Sequence, residues 1–354
     1  MKKINQLCLL AITIMSIFIY SCSEESGIID NAKTTKMYGI SNVDTYSYIN
    51  DKGENITMLK FENSNEFVTT MELLSQNNDA HNAEFYSRFE EDFKNDTFYV
   101  IEEDYGFNNQ EIYERFENNF SGFTSLRRVY VQLENIYLAD KELKEEKDPF
   151  NKYPFTREEL TLLNKYGEVK FGDTIVVITK DGYIAITDGD VVTLNKFHNG
   201  ERGILDQQNV MTNLKIEGGG ECLSTLSGMD ICIPKLFLNN GQVINHPFMC
   251  IGVYKMFNAY WFYVRGNSET RIYVNTTHGW KAAGAKRRMS GYVNTYSPFD
   301  CVFEYQLYES KLGTAHSLKV SSSKWWDGHL RGKQGQTIRL ELRPFDSYTE
   351  VYTL

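Results

Sequence analysis

The stretch from Gly167 to Ile186 constrains the fold more tightly than any other part of the chain. It runs Gly167-Glu168-Val169-Lys170-Phe171-Gly172-Asp173-Thr174-Ile175-Val176-Val177-Ile178, then Lys180-Asp181-Gly182, then Tyr183-Ile184-Ala185-Ile186. Asp-Gly pairs at 181–182 and 188–189 flank β-branched runs. Such pairs supply the positive φ that two-residue hairpin turns require, so the segment predicts successive hairpins.

Upstream the period changes. Met58 to Phe61 is strand-like, after which Asn63 or Ser64 can cap a helix carrying Phe67, Met71, Leu73 and Leu74. A second helix is expected from Ala80 to Phe93, with Phe85, Phe89 and Phe93 four residues apart on one face. Residues 123–145 predict a third, with Leu126, Val129, Tyr130, Leu133, Ile136 and Tyr137 at helical spacing. These aromatic stripes read as core. Asp148-Pro149 and Tyr153-Pro154 break the pattern, and Thr156 with Glu159 forms a capping-box signature for a short helix through Leu163.

Downstream of Lys215 the text is strand-like. Residues 231–238, 248–254, 260–265, 270–275, 301–308, 317–320 and 337–342 are short β candidates between Gly, Asn, Ser and Asp turns. They predict a sandwich or barrel of seven or eight strands. An aromatic share of 14% agrees with β-rich structure. The expected fold class is α+β. The expected organisation is a signal peptide (1–21), a tether (22–45), a helical domain (46–150), a short helix with a hairpin module (151–212) and an all-β domain (213–354).

The start of the chain gives an address. Lys2 and Lys3 precede an uncharged run from Leu7 to Tyr20. At 14 residues it falls short of the roughly 20 that a transmembrane helix needs, and suits the apolar core of a signal peptide. Ile19-Tyr20-Ser21-Cys22 resembles the lipobox read by bacterial lipoprotein signal peptidase. The thiol and freed amine of Cys22 would carry acyl chains, each buried methylene contributing about 0.8 kcal/mol. Ser23-Glu24-Glu25 looks like the acidic surface-export signal of Bacteroidota lipoproteins, which implies an outer-membrane lipoprotein facing the exterior. A periplasm-facing lipoprotein with a solvated linker is the alternative.

Charge narrows the partners. The net charge is −10, which argues against nucleic acid, because neutralising phosphates needs an excess of Lys and Arg. Residues 212–354 hold 16 Lys/Arg against 11 Asp/Glu, while the rest of the chain holds 21 against 36. No H-E-x-x-H, G-x-S-x-G or P-loop motif occurs, and the six His show no metal-ligand spacing, so no metal or cofactor is expected. Binding candidates are Trp280, Arg287, Arg288, Trp325, Trp326 and Arg331, read as turn residues whose exposed rings and guanidinium groups could take a glycan or an envelope protein.

Four cysteines remain beyond Cys22 in the mature chain: Cys222, Cys232, Cys250 and Cys301. An even number in an exported domain is compatible with two disulfides. Three pairings are possible, and Cys222–Cys232 with Cys250–Cys301 is preferred. An alternative function uses Cys222, which follows Gly218-Gly219-Gly220-Glu221, as the nucleophile of a hydrolase acting on envelope peptides, with His246 or His278 as base. The leading expectation is a non-catalytic binding or structural lipoprotein.

Gly122-Phe123-Thr124-Ser125-Leu126-Arg127, Leu162-Leu163-Asn164-Lys165-Tyr166-Gly167-Glu168-Val169 and Gly172-Asp173-Thr174-Ile175 together resemble a group of uncharacterised Bacteroidota lipoproteins. In that group a helical half with a "GF-SLR" segment precedes an "LLN-GEV-IGDTI" hairpin. The resemblance covers roughly residues 60–195, with Phe171 standing where an aliphatic residue is expected. It implies the envelope address and gives no catalytic residue.

Overall fold

The computed structural model describes residues 40, 43–95, 98–140, 147–149, 152–153, 155–179, 182–214, 228–234, 237–239, 243–255, 261–296, 303–315, 317–327, 336–342 and 348–353. The expected signal peptide, Cys22 and Ser23-Glu24-Glu25 lie outside them. From Gly39 onward the chain is one compact unit. Its class is α+β, as expected.

The first sheet is mixed and six-stranded. It contains β1 (Asp44–Ile49), β2 (Asn55–Phe61), β4 (Glu168–Phe171), β5 (Thr174–Thr179), β6 (Gly182–Ile186) and β7 (Val210–Leu214) in the order β1-β2-β4-β5-β6-β7. Only the β2–β4 pairing among these is parallel. A parallel pair needs a long crossover, and here the crossover, residues 62–167, carries most of the helices. Ile56, Met58, Ile175, Val177, Ile184, Ile186 and Leu194 form the core on this sheet.

Helix α1 spans Ser64–Tyr86, capped by the Asn63 side chain, which accepts from the N–H groups of Asn65 and Glu66. The two helices expected here are one through residue 86, because the polar run Ser75 to Asp79 contains neither Gly nor Pro. The helix ends before Phe89 and Phe93, which ride on 3-10 turns at Ser87–Phe89 and Asp92–Lys94. The aromatic stripe still forms core: Phe85, Tyr86, Phe89 and Phe93 cluster with Val100. Helix α2 is Glu111–Glu117, and α3 is Leu126–Ala139 with Ser125 accepting from the N–H of Arg128. Helix α4, Arg157–Leu162, has both bonds of the capping box between Thr156 and Glu159.

The β5–β6 hairpin forms as the sequence predicts, with Lys180 and Asp181 outside the described residues. The second Asp-Gly pair does something else. Gly189, at φ +66°, feeds α5 (Val191–His198), whose first turn Asp190 caps by accepting from Val192 and Thr193. A Cβ at residue 189 would lie 2.4 Å from the Asp173 carbonyl oxygen, so the turn requires glycine for space as well as φ. A hydrogen bond from the Thr193 hydroxyl holds the Asp190 carboxyl below its ordinary pKa.

The C-terminal region supplies ten further strands among the described residues: β8 (Gly228–Pro234), β9 (Phe237–Asn239), β10 (Val243–Lys255), β11 (Trp261–Thr276), β12 (Gly279–Ala285), β13 (Arg287–Tyr296), β14 (Phe303–Gly313), β15 (Ser317–Asp327), β16 (Gln336–Leu342) and β17 (Tyr348–Thr353). One sheet runs β3-β12-β11-β10-β8, where β3 is Tyr99–Ile101; β9 also pairs with β10, and β15 with β11. The other runs β14-β13-β16-β17. The candidates at 260–265 and 270–275 are halves of one strand, β11. The unexpected β12 reads Gly-Trp-Lys-Ala-Ala-Gly-Ala, with little β-branched signal. Its small residues serve close approach: a Cβ at Gly284 would lie 2.0 Å from the Tyr86 ring.

Backbone pairing crosses the boundaries expected at residues 150 and 212. Strands β1 and β2 share a sheet with β4–β7, and β3 pairs with β12.

Candidate functional site

Helix α3 places Tyr130, Glu134 and Tyr137 on one face at spacings of four and three, and all three are buried. Glu134 is the exception in an otherwise aromatic stripe, and it is met by cations from two directions. Arg157, at the start of α4, donates through Nη2 to Glu134 Oε2 at 3.0 Å. Arg271, on β11 and 0% exposed, donates through Nη1 to Glu134 Oε1 at 2.9 Å and to the Tyr130 hydroxyl at 2.8 Å. The Tyr273 hydroxyl donates to the same Oε1 at 3.0 Å. Burial, and then the charge of Glu134, push the Tyr273 phenol well above its ordinary pKa, so it stays a neutral donor.

A second polar chain runs alongside. Buried Glu102 accepts from the Tyr86 hydroxyl and from Asn109 Nδ2, both at 2.5 Å. Gln110 Nε2 donates to Asn109 Oδ1, and Arg127 Nη1 donates to Gln110 Oε1 at 3.0 Å. Arg127, 2% exposed, then clamps Glu117 through Nε and Nη2, both at 2.7 Å, while Ser125 and Arg128 donate to the same carboxylate. Thus Ser125 and Arg127 of the "GF-SLR" segment do structural work, one capping α3 and both holding Glu117.

The two networks border a cleft of about 480 Å³. Its walls come from the 102–110 segment, the exposed side of α3, the start of α4, and β11–β12. Trp280, Tyr273 and Phe107 give it an aromatic lining; Glu102, Asn109 and Gln110 give it hydrogen-bonding groups. At its edge Lys281 pairs with Glu103 at 2.5 Å, and exposed His278 lies nearby. A cavity of this size, aromatic with a few convergent polar groups, has the make-up of a small-ligand site.

A further buried carboxylate lies in the first sheet. Glu168 accepts from the Tyr48 hydroxyl at 2.8 Å and Asn164 Nδ2 at 2.6 Å, and His198 Nε2 lies 2.6 Å from its Oε1. Asn164 Oδ1 in turn accepts from the N–H groups of Tyr166 and Glu168. The "LLN-GEV" residues therefore build a tight turn around a buried acid. Among the described residues no cluster of His, Cys, Asp and Glu could hold a metal ion.

The binding candidates read from sequence fall differently. Trp280 is a strand residue of β12, not a turn residue, and is 5% exposed, packed with Tyr137 and Tyr273. It lines the cleft as part of a wall and not as an exposed platform. Arg287 and Arg288 belong to β13, and Trp325 and Trp326 to β15, where they sit opposite Tyr263 and Phe262 in register. They too are strand positions, where turns were expected. Consecutive positions on a strand belong to opposite faces, so Trp325 and Trp326 do not share one. Arg331, Cys222 and Cys301 lie outside the described residues. His246 is opposite Arg271 in the β10–β11 register.

Sequence reasoning missed Glu102, Glu134, Arg157 and Arg271. The usable signal was Glu134 itself, a charge placed between Tyr130 and Tyr137 where an apolar residue belongs. Ile136, assigned to the apolar face, is 70% exposed.

No family model matches the chain, and no curated protein matches it. Among solved structures, the crystal structure of a DUF4848 family protein from Bacteroides thetaiotaomicron aligns over 87% of this chain and 100% of its own, at 10% identity and a TM-score of 0.14.

Removing one partner from a buried ion pair leaves an uncompensated charge, at a cost of about 3–5 kcal/mol. Glu117→Leu, which strands Arg127, is expected to lower stability by that amount in urea unfolding. Lys281→Met, at the half-exposed cleft edge, is expected to cost less than about 1 kcal/mol.

Proposed function

We propose that the protein is a lipid-anchored envelope lipoprotein, acylated at Cys22 and displayed on the exterior of an outer membrane, whose folded part binds a ligand without turning it over. The anchor reading is supported by the charged start, the apolar run and Ile19-Tyr20-Ser21-Cys22. It needs no membrane-spanning helix, and among the described residues no helix is long and apolar enough to cross a membrane.

The observation that carries the binding reading is the cleft between α3 and β12. Its carboxylates are already engaged: Glu134 by two guanidinium groups and a phenol, Glu102 by a phenol and an amide. Groups so fixed suit holding a ligand better than moving protons. Aromatic walls beside amide and carboxylate groups match a ligand with both apolar faces and hydroxyl or amide edges, which describes a glycan or a segment of another envelope protein.

Two experiments test the reading. Cells fed labelled palmitate should label the wild-type chain and not Cys22→Ala. Protease on intact cells should digest the wild type and spare a Glu24→Ala/Glu25→Ala variant; protection of the wild type until lysis would move it to the periplasmic face.

Binding should be read on panels of glycans and envelope fragments with purified protein. Asn135, exposed on α3 and lining the cleft, can be enlarged without disturbing the core. Asn135→Trp is expected to abolish saturable binding while leaving the thermal midpoint unchanged. Binding that survives Asn135→Trp but is lost on Trp325→Ala or Trp326→Ala would transfer the site to β15.

A further inference from the structure

The register of the β8–β10 pair sets Cys232 directly opposite Cys250. We propose that these two cysteines form a cross-strand disulfide, in place of the Cys222–Cys232 and Cys250–Cys301 pairing preferred from sequence. Opposed residues in an antiparallel pair have Cα atoms about 4.5 or 5.5 Å apart, depending on the hydrogen-bonding site. Disulfides span Cα separations of roughly 4.4–6.8 Å. Both separations fall within the range that a disulfide spans.

The neighbouring backbone argues the same way. The register is continuous from Phe248↔Pro234 through Ile251↔Ile231 and shifts only beyond it, so the pairing at the cysteines is unambiguous. On its other side β10 presents Asn267 of β11 opposite Cys250. The strand that follows Cys301 is β14, which belongs to the separate four-stranded sheet. Strand β8 ends the order β3-β12-β11-β10-β8, and a bond to β10 would staple it there.

Formation is a thiol–disulfide exchange. The Cys232 and Cys250 thiols lose two protons and two electrons, one S–S bond forms between them, and the S–S bond of a donor disulfide breaks to give two thiols. In the cell that donor is the disulfide-exchange chemistry of an oxidising compartment, so the physiological bond rests on the export reading. The pairing itself does not.

The test supplies the oxidant in the tube, which separates a failed pairing from a failed address. The purified full chain is equilibrated in a glutathione redox buffer, alkylated and digested without reduction, using chymotrypsin to cut after Leu226 between Cys222 and Cys232. A linked peptide pair containing Cys232 and Cys250, separated by reductant, is the expected result. In a Cys222→Ser/Cys301→Ser variant Cys232 and Cys250 should resist maleimide until reduced. Peptides joining Cys222 to Cys232 or Cys250 to Cys301, or alkylation of Cys232 and Cys250 in the oxidised wild type, would overturn the proposal.

Discussion

Glu134 holds the helices against the second sheet. Its carboxylate sits on α3, yet its donors come from α4 (Arg157) and from β11 (Arg271 and Tyr273), residues more than 130 positions away in the latter case. A buried pair of this kind adds little net stability over an apolar replacement, because desolvating the charges offsets their attraction. What it contributes is a condition. Each charge is tolerated only where the others meet it, so α3 has one acceptable seat against β11. The β3–β12 pairing and the packing of Trp280 on Tyr137 and Tyr273 complete that seat.

The cleft follows from the same arrangement. With α3 fixed by its buried face, its exposed side becomes one wall, and β12 with Trp280 becomes the other. The Glu102–Asn109–Gln110–Arg127 chain braces the 102–110 segment that closes the third side. Buried hydrogen bonds and ion pairs of both networks tie these walls together, which preorganises the cavity.

Local signals in the sequence proved legible wherever local chemistry decided the outcome. The Asn63 cap, a helix within residues 123–145, the Thr156–Glu159 box and the β5–β6 hairpin all form from nearest-neighbour preferences. The second Asp-Gly pair failed as a hairpin signal because Asp190 is an equally good helix cap. Strand β12 was invisible because close packing against Tyr86 selects Gly and Ala over the β-branched residues that mark strands. Module boundaries placed from composition missed the pairings of β2 with β4 and β3 with β12, since nothing local encodes a partner so distant along the chain. The buried charges at the cleft, Glu102, Glu134, Arg157 and Arg271, were hidden for the same reason. A buried Glu or Arg looks solvated in one dimension until its partner, here Arg271 for Glu134, is known.

The most direct test of this account is amide hydrogen exchange on Arg271→Met, a change of similar size that removes only the charge and its hydrogen bonds. If Glu134 depends on Arg271, the amides from Tyr130 to Tyr137 should exchange on the order of 100-fold faster than in the wild type, while β4–β6 stay protected. Unchanged exchange along α3 would contradict the account, and would mean that apolar packing alone seats the helix.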